Sequence, residues 1–111
     1  MPYDFGDVIL VRFPFTNQVG SKQRPAVVIS RLAYNEVKPD LVMMAVTSQI
    51  RPMPALGEVW LRDWQAAGLI KPSAVKPVFA TLERGLVIRQ LGELTADDRD
   101  ALRQAIGQIL G

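Results

Sequence analysis

The chain has 111 residues, enough for one domain around a single core, and it contains neither cysteine nor histidine. Those two absences exclude a disulfide framework, thiolate metal sites, the commonest general base and every Ser-His or Cys-His nucleophile arrangement. A formal net charge of +2 is a mild bias toward anionic partners, and any chemistry falls to carboxylates, lysine, arginine, tyrosine or hydroxyls.

In chain order, short runs rich in β-branched and aromatic residues alternate with turn signals. Asp7 to Phe13, DVILVRF, predicts a strand that Pro14 ends, and a polar loop then runs to Gln23. Pro25 to Ser30, PAVVIS, is a near-continuous apolar run expected to be a central strand, with Pro25 at its start, where a missing N–H is tolerated. A polar stretch holding Asn35, Lys38 and Pro39 leads to Leu41 to Thr47, LVMMAVT, a second buried strand. Arg51 to Pro54, with two prolines, is a loop. Glu58 to Leu61 predicts a short strand and Asp63 to Leu69 a helical turn. Val75 to Leu82 is extended, with Pro77 marking an edge or a bulge, and Leu86 to Leu91 is the last strand.

The end differs in kind. Thr95 is an N-cap followed by Asp97 and Asp98, acids facing the positive end of a helix dipole. Leu102, Ala105, Ile106, Ile109 and Leu110 then recur at helical spacing and make one apolar face. The whole is expected to be mainly β: one domain over residues 1–111, a small, strongly curved antiparallel sheet or barrel with the C-terminal helix packed on it. The start carries an early acid and no apolar run of signal length, and no stretch has the roughly 20 apolar residues of a membrane span, so the expected location is cytoplasmic.

Two places concentrate groups that could act on a substrate. Arg24 stands at the mouth of an apolar strand, pinned by Pro25, where a guanidinium can present its donor fork to a phosphate. Thr47, Ser48 and Gln49 emerge together at the end of the LVMMAV strand, a position from which a rigid scaffold can present donors and acceptors; their plainer role is to open a turn. Lys71 and Lys76 flank Ser73 and would make a basic rim. Trp60, Trp64 and Phe79 are candidates to stack bases, although aromatics in so small a domain usually fill core. Arg12 and Arg89 are expected to face solvent, with Asp7 and Glu58 as possible partners. No Gly-rich phosphate loop and no metal-ligand spacing of carboxylates is present.

Taken together these segments resemble the MazF/PemK family of ribonuclease toxins over almost the whole chain. The pieces, in order, are Gly6 to Val11 with Phe13-Pro14-Phe15-Thr16, Gly20 to Ser30, Val46-Thr47-Ser48-Gln49, Trp64 with Ala67-Gly68-Leu69, Lys71-Pro72-Ser73 with Val75-Lys76, and Leu91-Gly92 with Leu94 before an acidic helix start. The resemblance implies an SH3-like barrel, a symmetric dimer and cleavage of single-stranded RNA at short motifs. It implies Arg24 and Thr47 as catalytic residues. Thr16, Ser21, Lys22, Gln23, Ser48, Gln49, Lys71, Ser73 and Lys76 are then the expected substrate contacts. In one departure, Ser73-Ala74 stands where better-studied members often carry an acidic residue and a glutamine.

RNA carries its own nucleophile, the 2′-hydroxyl, so an enzyme that uses it must position in-line attack, move two protons and stabilise a more anionic phosphate. Arginine suits the electrostatic part and a threonine hydroxyl suits holding a non-bridging oxygen, with no cofactor and no metal. The expected partners are a second copy of the chain and a cognate MazE-like antitoxin whose acidic, disordered segment occupies the RNA groove. The competing readings are a topoisomerase-poisoning toxin of the same fold, acting through its C-terminal helix, and an inactive SH3-like binding module.

Overall fold

The computed structural model describes residues 2–13 and 22–111. Six strands form one antiparallel sheet: β1 (Asp7–Phe13), β2 (Lys22–Val28), β3 (Asp40–Thr47), β4 (Val59–Trp60), β5 (Ala74–Glu83) and β6 (Val87–Glu93). Their order across the sheet is β4-β5-β3-β2-β1-β6, so among the described residues β4 and β6 are edges and the sheet does not close on itself. The expected barrel is therefore an open sheet; the mainly β class and the C-terminal helix are as expected.

The apolar runs become central strands because both faces of the sheet are covered. Val8, Val27, Met44, Val75, Leu94 and Leu102 belong to one core layer; Ile9, Val11, Ala26, Val28, Leu41 and Met43 belong to the other. The first layer is completed by α2 (Ala96–Leu110), which buries Leu102 and Ala105 against the sheet. Its start is capped as the sequence suggests: the Thr95 hydroxyl accepts from the Asp98 amide at 3.4 Å. Asp98 does more than face the dipole. It is buried, and its two carboxylate oxygens accept from the backbone amides of Arg62 and Asp63 at 3.1 and 3.0 Å. That clamps α2 to the segment leading from β4 to β5. The same segment makes the expected turn, with the Ala67 and Leu69 amides donating to the carbonyls of Asp63 and Trp64. It lies backbone-to-backbone on β6: a Cβ at Gly68, whose φ is +85°, would stand 2.1 Å from the Leu91 carbonyl oxygen.

Two details depart from the sequence reading, and a third agrees with it. The second strand begins at Lys22 rather than Pro25 and stops at Val28. Pro25 pairs with Leu10 on one side, but the β2–β3 ladder covers only Ala26 to Val28, so on its other side Pro25 sits on an open edge that needs no N–H. A second helix exists, α1 (Leu32–Val37), inside the stretch read only as polar. Its last carbonyls are satisfied from across the fold, where Arg84 Nη2 donates to the carbonyls of Asn35 and Lys38. Pro77 does fall at an irregularity: the β3–β5 register shifts between Met44, opposite Phe79, and Val46, opposite Val75.

Candidate functional site, a cationic cleft at one end of the sheet

The antiparallel register of β2 and β3 pairs Ala26 with Ala45. That pair ends the ladder, and two residues beyond it stand Arg24 on β2 and Thr47 on β3. On the other side of β3, Thr47 pairs with Ala74 of β5, which brings Ser73 alongside. The hydroxyl of Thr47 and the guanidinium of Arg24 thus come from the ends of neighbouring, well-buried strands. Both line a cleft of about 610 Å3 together with Ser48, Gln49, Lys71, Ser73 and Lys76.

Of the other expected contacts, Gln23 is exposed on β2 opposite Arg12 and does not line the cleft; Lys22 begins β2 opposite Phe13. Thr16 and Ser21 lie outside the described residues. The structure adds what the sequence reading left out: Leu69, Ile70 and Val78 make an apolar side of the cleft. Ile70 is 88% exposed, a large side chain held in solvent beside Lys71. None of Trp60, Trp64 and Phe79 lines the cleft. Trp64 packs on the core, and Trp60 Nε1 donates to Glu58 at 3.1 Å. Glu58 is thus engaged with an indole rather than with Arg12 or Arg89, while Asp7 accepts from the Asp4 amide at 2.9 Å.

Local hydrogen bonds hold the polar groups in place. The Thr47 oxygen accepts from the Gln49 amide at 3.1 Å, the turn-opening contact, and this leaves its hydroxyl proton to be donated outward. The Ser73 hydroxyl donates to the Lys71 carbonyl at 2.8 Å, fixing the turn that presents Lys71. Among the residues lining the cleft every charged group is cationic: Arg24, Lys71 and Lys76, with no carboxylate. An anion is the ligand such a lining attracts. Among the described residues no group of three or more Asp or Glu side chains comes together as a metal cluster.

Comparison with known proteins gives the class first: a toxin of a type II toxin–antitoxin system, matched over residues 4–110. Within that class, the chain belongs to the PemK-like, MazF-like family. Among solved structures, it is similar to MazF from Deinococcus radiodurans, with 30% identity and a TM-score of 0.76 over 100% of this chain and 98% of that one. MazF in the MazE-MazF complex from the same organism is 29% identical, with a TM-score of 0.79 and the same coverage. The Mycobacterium tuberculosis toxin MazF-mt6 shares the fold at 24% identity, with a TM-score of 0.74 over 91% of this chain and 92% of that one. Comparison with curated protein sequences returns no match.

Proposed function

We propose that this toxin is a sequence-selective endoribonuclease that cleaves single-stranded RNA without a metal, leaving 2′,3′-cyclic phosphate and 5′-hydroxyl ends. The observation that carries the reading is that Arg24 and Thr47, from the ends of two neighbouring strands, line one cleft whose charged groups are all cationic. The 2′-oxygen attacks phosphorus as its proton leaves to solvent, and the bond to the 5′-oxygen breaks as that oxygen gains a proton. Arg24 stabilises the charge that builds on the phosphoryl oxygens and donates toward the leaving oxygen. Thr47, its oxygen already accepting from the Gln49 amide, donates to a non-bridging oxygen.

Ser48, Gln49, Lys71, Ser73 and Lys76, with Thr16, Ser21, Lys22 and Gln23, hold the strand and its bases. Leu69, Ile70 and Val78 give the splayed bases an apolar surface. The substrate must be RNA, because DNA lacks the nucleophile. The protein works in the cytoplasm, where its RNA is.

The active form is a homodimer. The long apolar strands do not themselves call for a partner, since Val27, Val28, Leu41, Met43 and Met44 are fully buried within one chain. The surface to be covered is instead Met53 and Leu56, 77% and 88% exposed, with Phe79 and Ile109. A MazE-like antitoxin neutralises the toxin by laying an acidic segment into the cationic cleft, and competes with RNA there.

Incubating the protein with a long RNA in EDTA and mapping product ends tests the reading. Discrete fragments with cyclic-phosphate ends are expected, because the chain has no His or Cys and the cleft lining no carboxylate to hold a metal. Strict dependence on magnesium or manganese would overturn the mechanism. Intact RNA with an inhibited topoisomerase would overturn the activity.

A further inference from the structure

A second concavity, larger at about 710 Å3, lies at the opposite end of β2 and β3 from the cleft. Ile29 and Val42 floor it, Phe5 and the start of α1 make one side, and a flank of α2 makes the other. We propose that this groove docks an acidic, amphipathic segment of a second protein, at a site separate from the RNA cleft. The proposal does not depend on the cleft cutting RNA.

Its apolar floor is rimmed by cations. Arg99, Arg103, Ile106 and Leu110 follow one another on α2 at the spacing of a single helix stripe, so the wall runs from two arginines to two aliphatics. Arg31 faces them from the turn before α1, and among the described residues it makes no ion pair. Arg103 stacks over the Phe5 ring at 4.7 Å, and its bridge to Asp100, 3.1 Å, joins side chains 58% and 70% exposed, which water and salt weaken. Arg99 reaches Glu93 only at 3.5 Å, and its buried Nε donates to nothing among the described residues.

That guanidinium is held in advance. It lies against the backbone at Gly6, where a Cβ would stand 2.6 Å from Arg99 Nε. The acid in the wall, Asp4, is spent on the turn itself: its Oδ1 accepts from the amides of Phe5 and Leu32 at 2.7 and 2.9 Å. Three cations thus face the groove against one committed carboxylate. A ligand that satisfies both parts brings carboxylates for the arginine forks and aliphatic side chains for the floor, as one turn-by-turn face of an acidic helix does. RNA brings the anion but not the aliphatic anchors.

The test titrates isotope-labelled protein with a synthetic helix carrying leucines on one face and glutamates on the other. Amide shifts are expected at Ile29 to Ala33 and along Arg99 to Leu110, and not at Thr47, Ser48 or Lys71. Arg31→Glu and Arg103→Glu, both at exposed sites, should each weaken binding about tenfold while keeping the wild-type melting temperature. Higher salt should weaken binding as well. The proposal is overturned if the wild-type protein does not bind the peptide, if both variants bind it unchanged, or if the shifts fall in the cleft. Displacement of the peptide by a single-stranded RNA would overturn it too. So would self-association that Arg103→Glu abolishes, because the groove would then belong to a second copy of the chain.

Discussion

The two ends of β3 carry polar side chains of much the same kind and put them to opposite uses. Beside its start, Ser30 and Asn35 are buried and answer one another. The Ser30 hydroxyl donates to Asn35 Oδ1 at 2.5 Å, and Asn35 Nδ2 donates to the carbonyls of Tyr3 and Ser30 at 2.8 and 2.9 Å. The Val42 amide closes the set on Ser30 at 3.1 Å. At its finish, Thr47, Ser48 and Gln49 have donors and acceptors to spare, held out at a rigid strand end beside Arg24. A polar group whose hydrogen bonds are all met inside the chain is part of the scaffold; one whose capacity is left over at a fixed position is available to a ligand.

Substitutions at the two ends should therefore separate activity from stability. Arg24→Ala should have the largest effect, at the open end. RNA cleavage should fall by two to three decades, about 3–4 kcal/mol of lost transition-state stabilisation, and the melting temperature should hold because Arg24 is exposed. A well-folded variant that cuts normally would remove Arg24 from the mechanism. Asn35→Ala should do the reverse. It strands the Ser30 hydroxyl and two carbonyls in a buried site, roughly 3 kcal/mol of stability, while cleavage per folded molecule stays unchanged. Urea unfolding and active-site-normalised rates read the two quantities, and a loss of rate without a loss of stability would merge the two ends into one site. Thr47→Ala comes next: a neutral hydroxyl contributes about 1 kcal/mol, so cleavage should slow about fivefold with little change in melting.

The smallest effect is expected at Asp7, a third buried polar group, again near the satisfied end. Burial is the main cause that pushes its carboxyl above the usual 3.8, with Glu93 and Asp4 adding to the rise and the Asp4 amide and Arg99 opposing it. The folded chain therefore prefers the protonated form. This contribution to stability is complete below 3.8 and is lost as pH climbs through the raised folded value. Asp7→Asn, whose amide oxygen can still accept from the Asp4 amide, should flatten that decline and melt slightly higher at neutral pH. Melting curves across the acid range check it, and an unchanged slope would show that Asp7 titrates as it does in the unfolded chain.

The central strands and α2 were legible because each is a long periodic segment with its own signal: unbroken apolar runs in β1 and β3, a capped and amphipathic stripe in α2. The first helix was not. Leu32–Val37 is six residues long, its N-cap position is Arg31 with no side-chain cap, and its one inward residue is an asparagine whose partners are distant in sequence. Pro25 misled for a similar reason. A proline inside β2 is acceptable only because the β3 ladder has already ended there, which depends on a neighbouring strand distant in sequence rather than on β2 itself. In the cleft, Arg24, Thr47, Ser48, Gln49, Lys71, Ser73 and Lys76 were each named from the sequence and its family resemblance, and they converge. What no local pattern contained was the apolar side made by Leu69, Ile70 and Val78, because it is assembled from a turn and a bulged strand.

The Asp98 clamp gives the cleft an unexpected dependence on a helix that contributes no residue to its lining. The segment that carries Lys71 and Ser73 is tied to α2 through the amides of Arg62 and Asp63, and α2 also supplies Leu102 and Ala105 to the core beneath it. A premature stop codon ahead of Asp98 would leave every residue of the cleft encoded and yet release the wall that holds two of them. A population selected to outlive this toxin could thus disarm it with a stop or frameshift ahead of that helix, and such escape alleles would be read as harmless by anyone inspecting the cleft residues alone.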